Sequence, residues 1–187
     1  MSIQRDIEDI NKKVEYHYKL SRIKPTRVKF VGEKKLKCPF RGNDYYAVIF
    51  CGIDGRDPLH YGICNGTINA TGFSIQVERA IREGWLKPRD TLVLSETKIH
   101  TGGENTVLED WLWESFRIYT LYLPPRTPKW SPVNAVWKRV TRDLKDIRLN
   151  PWQNHSIVYA TQHLLDSFTH HQMNSFYYDC FSECGCL

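Results

Sequence analysis

Hydrophobic and polar positions alternate along this chain with two periods. Ile3, Ile7, Ile10 and Val14 recur at spacings of three and four with charges between them, which predicts a helix from residue 2 to about 20, ended or bent at Pro25. Arg27 to Val31 alternates basic and apolar residues as a strand does, with Gly32 and Glu33 at its end and a Lys-rich connection (Lys34, Lys35, Lys37) beyond. Tyr45 to Ile53, aromatic and β-branched, is a second strand. Asp54-Gly55-Arg56-Asp57 reads as a hairpin turn, and Leu59 to Cys64 as the returning strand.

After these three strands the period lengthens. Thr71 to Arg82 carries Phe73, Val77, Ala80 and Ile81 on one face, and Gly84 supplies a C-terminal stop. Asp90 to Leu94 is a short apolar run of the kind buried on both faces. Residues 104 to 115 form a helix with Val107, Leu108, Trp111 and Leu112 inward, and Arg117 to Leu121 a further buried strand. A last helix spans about 152 to 172 on Ile157, Ala160, Leu164, Leu165 and Phe168, and the tail 173 to 187 shows no period. A hairpin sheet extended through helical crossovers is a mixed α/β layer fold.

The stretch between the last strand and the last helix has its own chemistry. Pro124, Pro125, Pro128 and Pro132 prevent regular pairing and hold an extended turn. Ser131 followed by Pro132 is an N-cap with proline at the first helical position. Val133, Val136, Trp137 and Val140 mark the inward face of the helix that follows, and Lys138, Arg139 and Arg142 its other side. Asn134, one turn in, is presented at a fixed height beside the preceding strand.

Charge and composition narrow the partners only a little. The chain has 187 residues, enough for one domain with a sizeable core, and 26 Lys and Arg against 21 Asp and Glu. Such a mildly basic balance permits a nucleic-acid partner without requiring one. A polar start argues against a signal peptide, no apolar run reaches membrane length, and six Cys read as reduced intracellular thiols.

Three segments in order, Arg27-Val-Lys-Phe-Val-Gly-Glu33, Thr91 to Asn105 and Leu123 to Val140, resemble the signatures of the mariner-like DDE transposase catalytic domain. The resemblance runs from about residue 24 to 148. It implies a ribonuclease-H-like α/β fold: three antiparallel strands extended by two parallel strands, with helices on both faces. Together with the periodicity outside it, the expected organisation is a helix at 1–24, the ribonuclease-H-like core at 25–150, and a C-terminal helix with a Cys- and aromatic-rich tail at 151–187.

The chemistry of that family needs three carboxylates converging on two divalent cations. Carried over by position, those carboxylates fall on Gly32, Ser95 and Asn134, and none is acidic. The expectation is a pseudoenzyme with no intact catalytic residue, its Mg²⁺ site lost and no cofactor. Glu33 and Glu96 follow two of the positions, but alternation along a strand aims a neighbour away from the site. Asp54 and Asp57 are explained as turn residues. His100 reads as a loop histidine.

Arg126, Lys129, Lys138, Arg139 and Arg142 surround the former mouth and are the candidates for phosphate contact, although Asp143 and Asp146 interrupt the run. Trp130, on a proline-rich loop, is the candidate anchor for a partner. Cys180, Cys184 and Cys186 with His170 and His171 match no familiar zinc module, so no metal is assigned. The expected role is a protein-interaction or scaffold module of a nuclear complex, with a protein partner or homodimer. Non-specific nucleic-acid binding is the alternative, and residual metal-dependent cleavage the third. Neither a membrane nor a small-molecule substrate is expected.

Overall fold

The computed structural model describes residues 3–24, 27–37, 45–54, 59–65, 69–95, 103–146 and 156–183. In chain order they form α1 (Ile3–Ser21), β1 (Val28–Lys37), β2 (Tyr45–Ile53), β3 (His60–Asn65), α2 (Ala70–Arg82), β4 (Thr91–Leu94), α3 (Gly103–Phe116), β5 (Tyr119–Tyr122), α4 (Pro132–Asp146), α5 (Ser156–Asp166) and α6 (His170–Glu183). The strands make one five-stranded sheet in the order β3-β2-β1-β4-β5. β1, β2 and β3 pair antiparallel, while β4 joins β1 and β5 in parallel. That is the ribonuclease-H-like arrangement expected.

Side-chain alternation divides the core between the two faces of the sheet. Phe30 of β1, Val93 of β4 and Leu121 of β5 point toward α1, α4, α5 and α6, with Leu20, Val136, Trp137, Leu165 and Tyr177 among their buried neighbours. Val31, Leu92 and Leu94 point the other way, against α2 and α3. β4 is buried at every position because helices cover it on both sides. Local signals place the helices that do the covering. Asn69 caps α2 by accepting from the Gly72 N–H at 2.8 Å, and Gly84 leaves that helix at φ 76°, a conformation suited to glycine. Val133, Val136, Trp137 and Val140 are all buried on α4.

Several expectations need correction. β1 does not end at Gly32-Glu33 but runs to Lys37, so the presumed Lys-rich connection is strand, paired with β2 through a register shift between Gly32 and Lys34. The regular stripe on α1 faces outward. Ile7, Ile10, Val14 and Tyr18 are half or more exposed, and the face turned inward carries Tyr16 and Leu20. On α3, Leu112 is buried as expected, but Val107 and Trp111 are exposed. β5 is an edge strand with Tyr119 exposed rather than a strand buried on both faces.

The last helix is two helices. After α5 the chain breaks, and Thr169 restarts it with a capping box: the Gln172 side chain accepts from the Thr169 N–H at 2.9 Å, and the Thr169 hydroxyl accepts from the Gln172 N–H at 3.3 Å. The supposedly aperiodic tail therefore contains α6, whose Met173, Tyr177 and Cys180 fall at helical spacing and are buried. Tyr177 donates to the Val28 carbonyl at 2.9 Å and ties α6 to the start of β1. With α1, these C-terminal helices complete the same core as the sheet.

Candidate functional site

Gly32, Ser95 and Asn134 are brought to one end of the parallel strands. β1 and β4 pair Val28 with Thr91 and Phe30 with Val93, and the same register carried on two residues sets Gly32 beside half-buried Ser95. The first turn of α4 lies over this point. A Cβ on Gly32 would stand 3.0 Å from Val133 Cγ1, tighter than most real Cβ contacts, and at an ordinary 3.7 Å from Trp137 Nε1. Glycine thus suits the close approach of α4, since a Cβ at position 32 would require Val133 to give by a few tenths of an ångström. Asn134 is exposed, and its amide donates to the Pro128 carbonyl at 2.7 Å, fastening α4 to the short 3-10 turn Pro128–Trp130.

Beside this point a hollow is lined by Glu33, Lys34, Asn134, Trp137, Lys138, Thr141 and Arg142. Glu33 is therefore not excluded from the mouth, as simple alternation suggested. It sits where the β1–β2 register shifts, and one of its carboxylate oxygens is shielded from solvent. Glu96 and His100 lie outside the described residues. Among the described residues, no three His, Cys, Asp or Glu side chains form a group that could hold a metal ion.

The five basic candidates do not form one patch. Lys138 and Arg142 line the hollow beside Gly32, with Lys34 as a third cation. Sequence reading missed Lys34 because it ended the strand too early; the alternation continuing through Leu36 was the available signal. Lys129 and Lys138 flank a second hollow shared with Phe176, Asp179 and Cys180 of α6. Arg126, at φ 60°, reaches away to pair with Asp9 of α1 at 3.6 Å. Arg139 and Arg142 both donate to Asp143, at 2.6 and 2.9 Å, and these hydrogen bonds, Arg139's first, hold the Asp143 carboxyl below its ordinary range.

Trp130 is not an exposed anchor. Its ring is half-buried, stacked on Tyr16 at 5.6 Å and set edgewise to His17 at 4.5 Å, so it holds α1 to the loop. Its carbonyl accepts from the buried Cys180 thiol at 2.7 Å, which leaves that cysteine an internal partner. Cys184 and Cys186 lie outside the described residues, and so does Asp57.

The largest surprise is at the opposite end of β1. Lys29 is buried and pairs with Asp54, with Asp90 at 3.9 Å and the Trp85 ring centroid at 5.1 Å. Asp54, expected to be a turn residue, is only 1% exposed. Burial raises the Asp90 carboxyl above its ordinary 3.8, opposed by the Lys87 N–H it accepts at 2.8 Å and by the charge of Lys29. A lysine in an alternating strand carries no sequence mark of burial, so only the meeting of three separate segments identifies this cluster.

A sequence profile described as DDE superfamily endonuclease matches residues 15–154. No curated protein matches the sequence at a significant level. Among solved structures, the catalytic domain of Mos1 mariner transposase is similar at a TM-score of 0.70 and 14% identity, over 99% of this chain and 96% of that one. The Mos1 strand transfer complex gives a TM-score of 0.76 at 15% identity, over 100% of this chain and 62% of that one. The Mos1 transposase paired-end complex with left transposon end gives 0.69 at 13% identity, over 99% and 63%. The chain thus spans less than two thirds of the Mos1 chain in either complex. At such identities the likeness is one of fold. The Mos1 catalytic domain matches that fold along nearly all of the chain, and with the profile covering most of the sequence the chain belongs to the DDE superfamily endonuclease family.

Proposed function

We propose that this is a transposase-derived domain that no longer cuts DNA and acts as a protein-interaction or scaffold module in a nuclear chromatin or nucleic-acid complex. The observation that supports the loss of cutting is at Gly32, where even a Cβ would crowd Val133 Cγ1 on α4 at 3.0 Å. Phosphoryl transfer in this family rests on two divalent cations held by three carboxylates. A glycine, a serine and an asparagine at those positions do not fit such a pair. Magnesium prefers charged oxygen ligands, and the Asn134 amide is already engaged with Pro128. No step is therefore routed through a metal.

A second reading has its own support. Lys34, Lys138 and Arg142 surround the hollow against the single carboxylate of Glu33, a balance that suits a phosphate better than a cation. Mos1 transposase has been captured with its left transposon end, and nucleic acid is the corresponding partner here, held through its backbone without sequence specificity. Incubation of supercoiled plasmid with the purified protein and Mg²⁺ or Mn²⁺ should leave it intact. Cleavage that disappears in Glu33→Gln or Glu96→Gln would overturn the pseudoenzyme reading. Gel shifts at rising salt test the second reading, which fails if no complex forms even at low salt.

A further inference from the structure

We infer that the end of the sheet opposite Gly32 is a binding surface for single-stranded nucleic acid, separate from the hollow at the mouth and resting on neither reading above. β1, β4 and β5 start side by side there, since Val28 pairs with Thr91 and Thr91 with Tyr119. Each start is preceded by bases: Arg22, Lys24 and Arg27 before β1, Lys87 and Arg89 before β4, and Arg117 before β5. All six are exposed. In the same segments, 22–27, 87–90 and 113–119, the acids are Glu114 and Asp90, and Asp90 is buried beside Lys29. The excess of positive charge at this end suits a polyanion.

The backbone fixes two of these bases in place. Arg117 closes α3 in a Schellman motif: its N–H donates to the Trp113 carbonyl at 3.0 Å, and the Ile118 N–H donates to the Leu112 carbonyl at 3.1 Å. Arg117 has φ 56° there. Arg89 has φ 69°, and its N–H donates to the Phe116 carbonyl at 3.1 Å, so the two arginines are neighbours. Glycine takes such left-handed positions at least cost, as Gly84 does after α2. Two neighbouring positions that favour glycine are both filled by arginine, so backbone stability does not account for the residue type.

Rings select among polyanions. Trp113 and Tyr119 are 49% and 44% exposed and meet edgewise with centroids 6.4 Å apart. The Arg117 guanidinium lies over the Trp113 ring at 5.2 Å, and Arg22 repeats the arrangement over exposed Tyr18 at 4.6 Å. Exposed rings beside cations suit a single strand, whose bases stack on the rings while its phosphates meet the cations. A duplex keeps its base faces stacked inside, and an acidic side chain has no ring to stack.

Fluorescence anisotropy of the full chain with a labelled oligothymidylate of about fifteen nucleotides should show binding that weakens as salt rises. Arg89→Gly with Arg117→Gly should weaken it by roughly tenfold or more, with thermal unfolding unchanged or raised because glycine suits both φ values. Arg5→Gln with Lys13→Gln removes as many charges from α1 and should change binding by less than about twofold. Trp113→Ala should weaken it by roughly fivefold or more, and Trp113→Phe by less. Ultraviolet cross-linking to a bromouracil-substituted strand should mark Trp113 or Tyr119. No binding at low salt overturns the proposal, and so does binding indifferent to the glycine pair. Cross-links confined to the hollow beside Gly32 also overturn it, while leaving the phosphate reading of that hollow standing. Displacement of the strand by duplex DNA or by polyglutamate, as effective as by unlabelled oligothymidylate, overturns a single strand as the occupant.

Discussion

The two ends of β1 handle charge in opposite ways. Lys29 is buried among partners: Asp54 and Asp90 surround its ammonium group and the Trp85 ring lies over it. Three residues on, facing the other side of the sheet, Gly32 has no side chain and helix α4 has closed over the position. Removing ions from water costs several kcal/mol each unless partners replace the hydration. A buried charge cluster therefore survives as a complete set or gives way to apolar packing. One strand carries both arrangements, charged partners around Lys29 and the apolar side chains of α4 against Gly32.

That contrast can be broken from the Lys29 end with the largest effect. Lys29→Met leaves Asp54 buried without its cation and should cost about 3–5 kcal/mol in urea unfolding. Adding Asp54→Leu should restore most of it, since an apolar pair needs no hydration. A loss within the range of an exposed pair, about 1 kcal/mol or less, would mean that water reaches the cluster. From the other end, Gly32→Asp should destabilise by about 1–3 kcal/mol through overpacking against Val133. Val133→Ala in the same chain should relieve the strain, and additive losses in the two variants would argue against the close approach.

Smaller effects sharpen the comparison. Asn134→Asp removes the donor to Pro128 and turns a carboxylate toward a carbonyl oxygen, with an expected loss of about 0.5–1.5 kcal/mol by thermal unfolding. An unchanged midpoint would show that this hydrogen bond does not anchor the 3-10 turn. The smallest effect concerns Asp90, whose carboxyl is raised above 3.8 chiefly by burial. The folded chain therefore holds that proton more tightly than the unfolded chain does. Stability conferred by the proton is present below 3.8 and lost as pH rises through the folded value. Asp90→Asn, which keeps an acceptor for the Lys87 N–H, should thus compare most favourably with wild type at neutral pH and lose ground on acidification. A stability difference that does not vary with pH would mean that Asp90 titrates normally.

Much of the fold was legible because its signals are local. Ser131-Pro132 and the Val133–Val140 spacing define α4, Gly84 ends α2, and the apolar run Thr91–Leu94 marks the central parallel strand. Thr169-x-x-Gln172 was equally readable as a capping box, and with it the break that makes α5 and α6 two helices. The site was legible in a narrower sense. Residue identities put no carboxylate at Gly32, Ser95 or Asn134, but they could not show that Val133 of α4 packs against Gly32. Trp130 was misread for the same reason: a proline-rich loop looks exposed until Tyr16 and His17, more than a hundred residues earlier, are laid against it.

By itself, then, the sequence determined the order of helices and strands, the family signatures and the missing negative charge, since each depends on residue type and short-range spacing. The tertiary structure decided that α4 closes over Gly32, that Lys29 is enclosed by Asp54 and Asp90, and that the regular stripe of α1 faces outward. Periodicity gives a helix an apolar side. Which side is buried depends on the competing anchors, here Tyr16, Leu20 and Trp130, and those contacts exist only once distant segments have met.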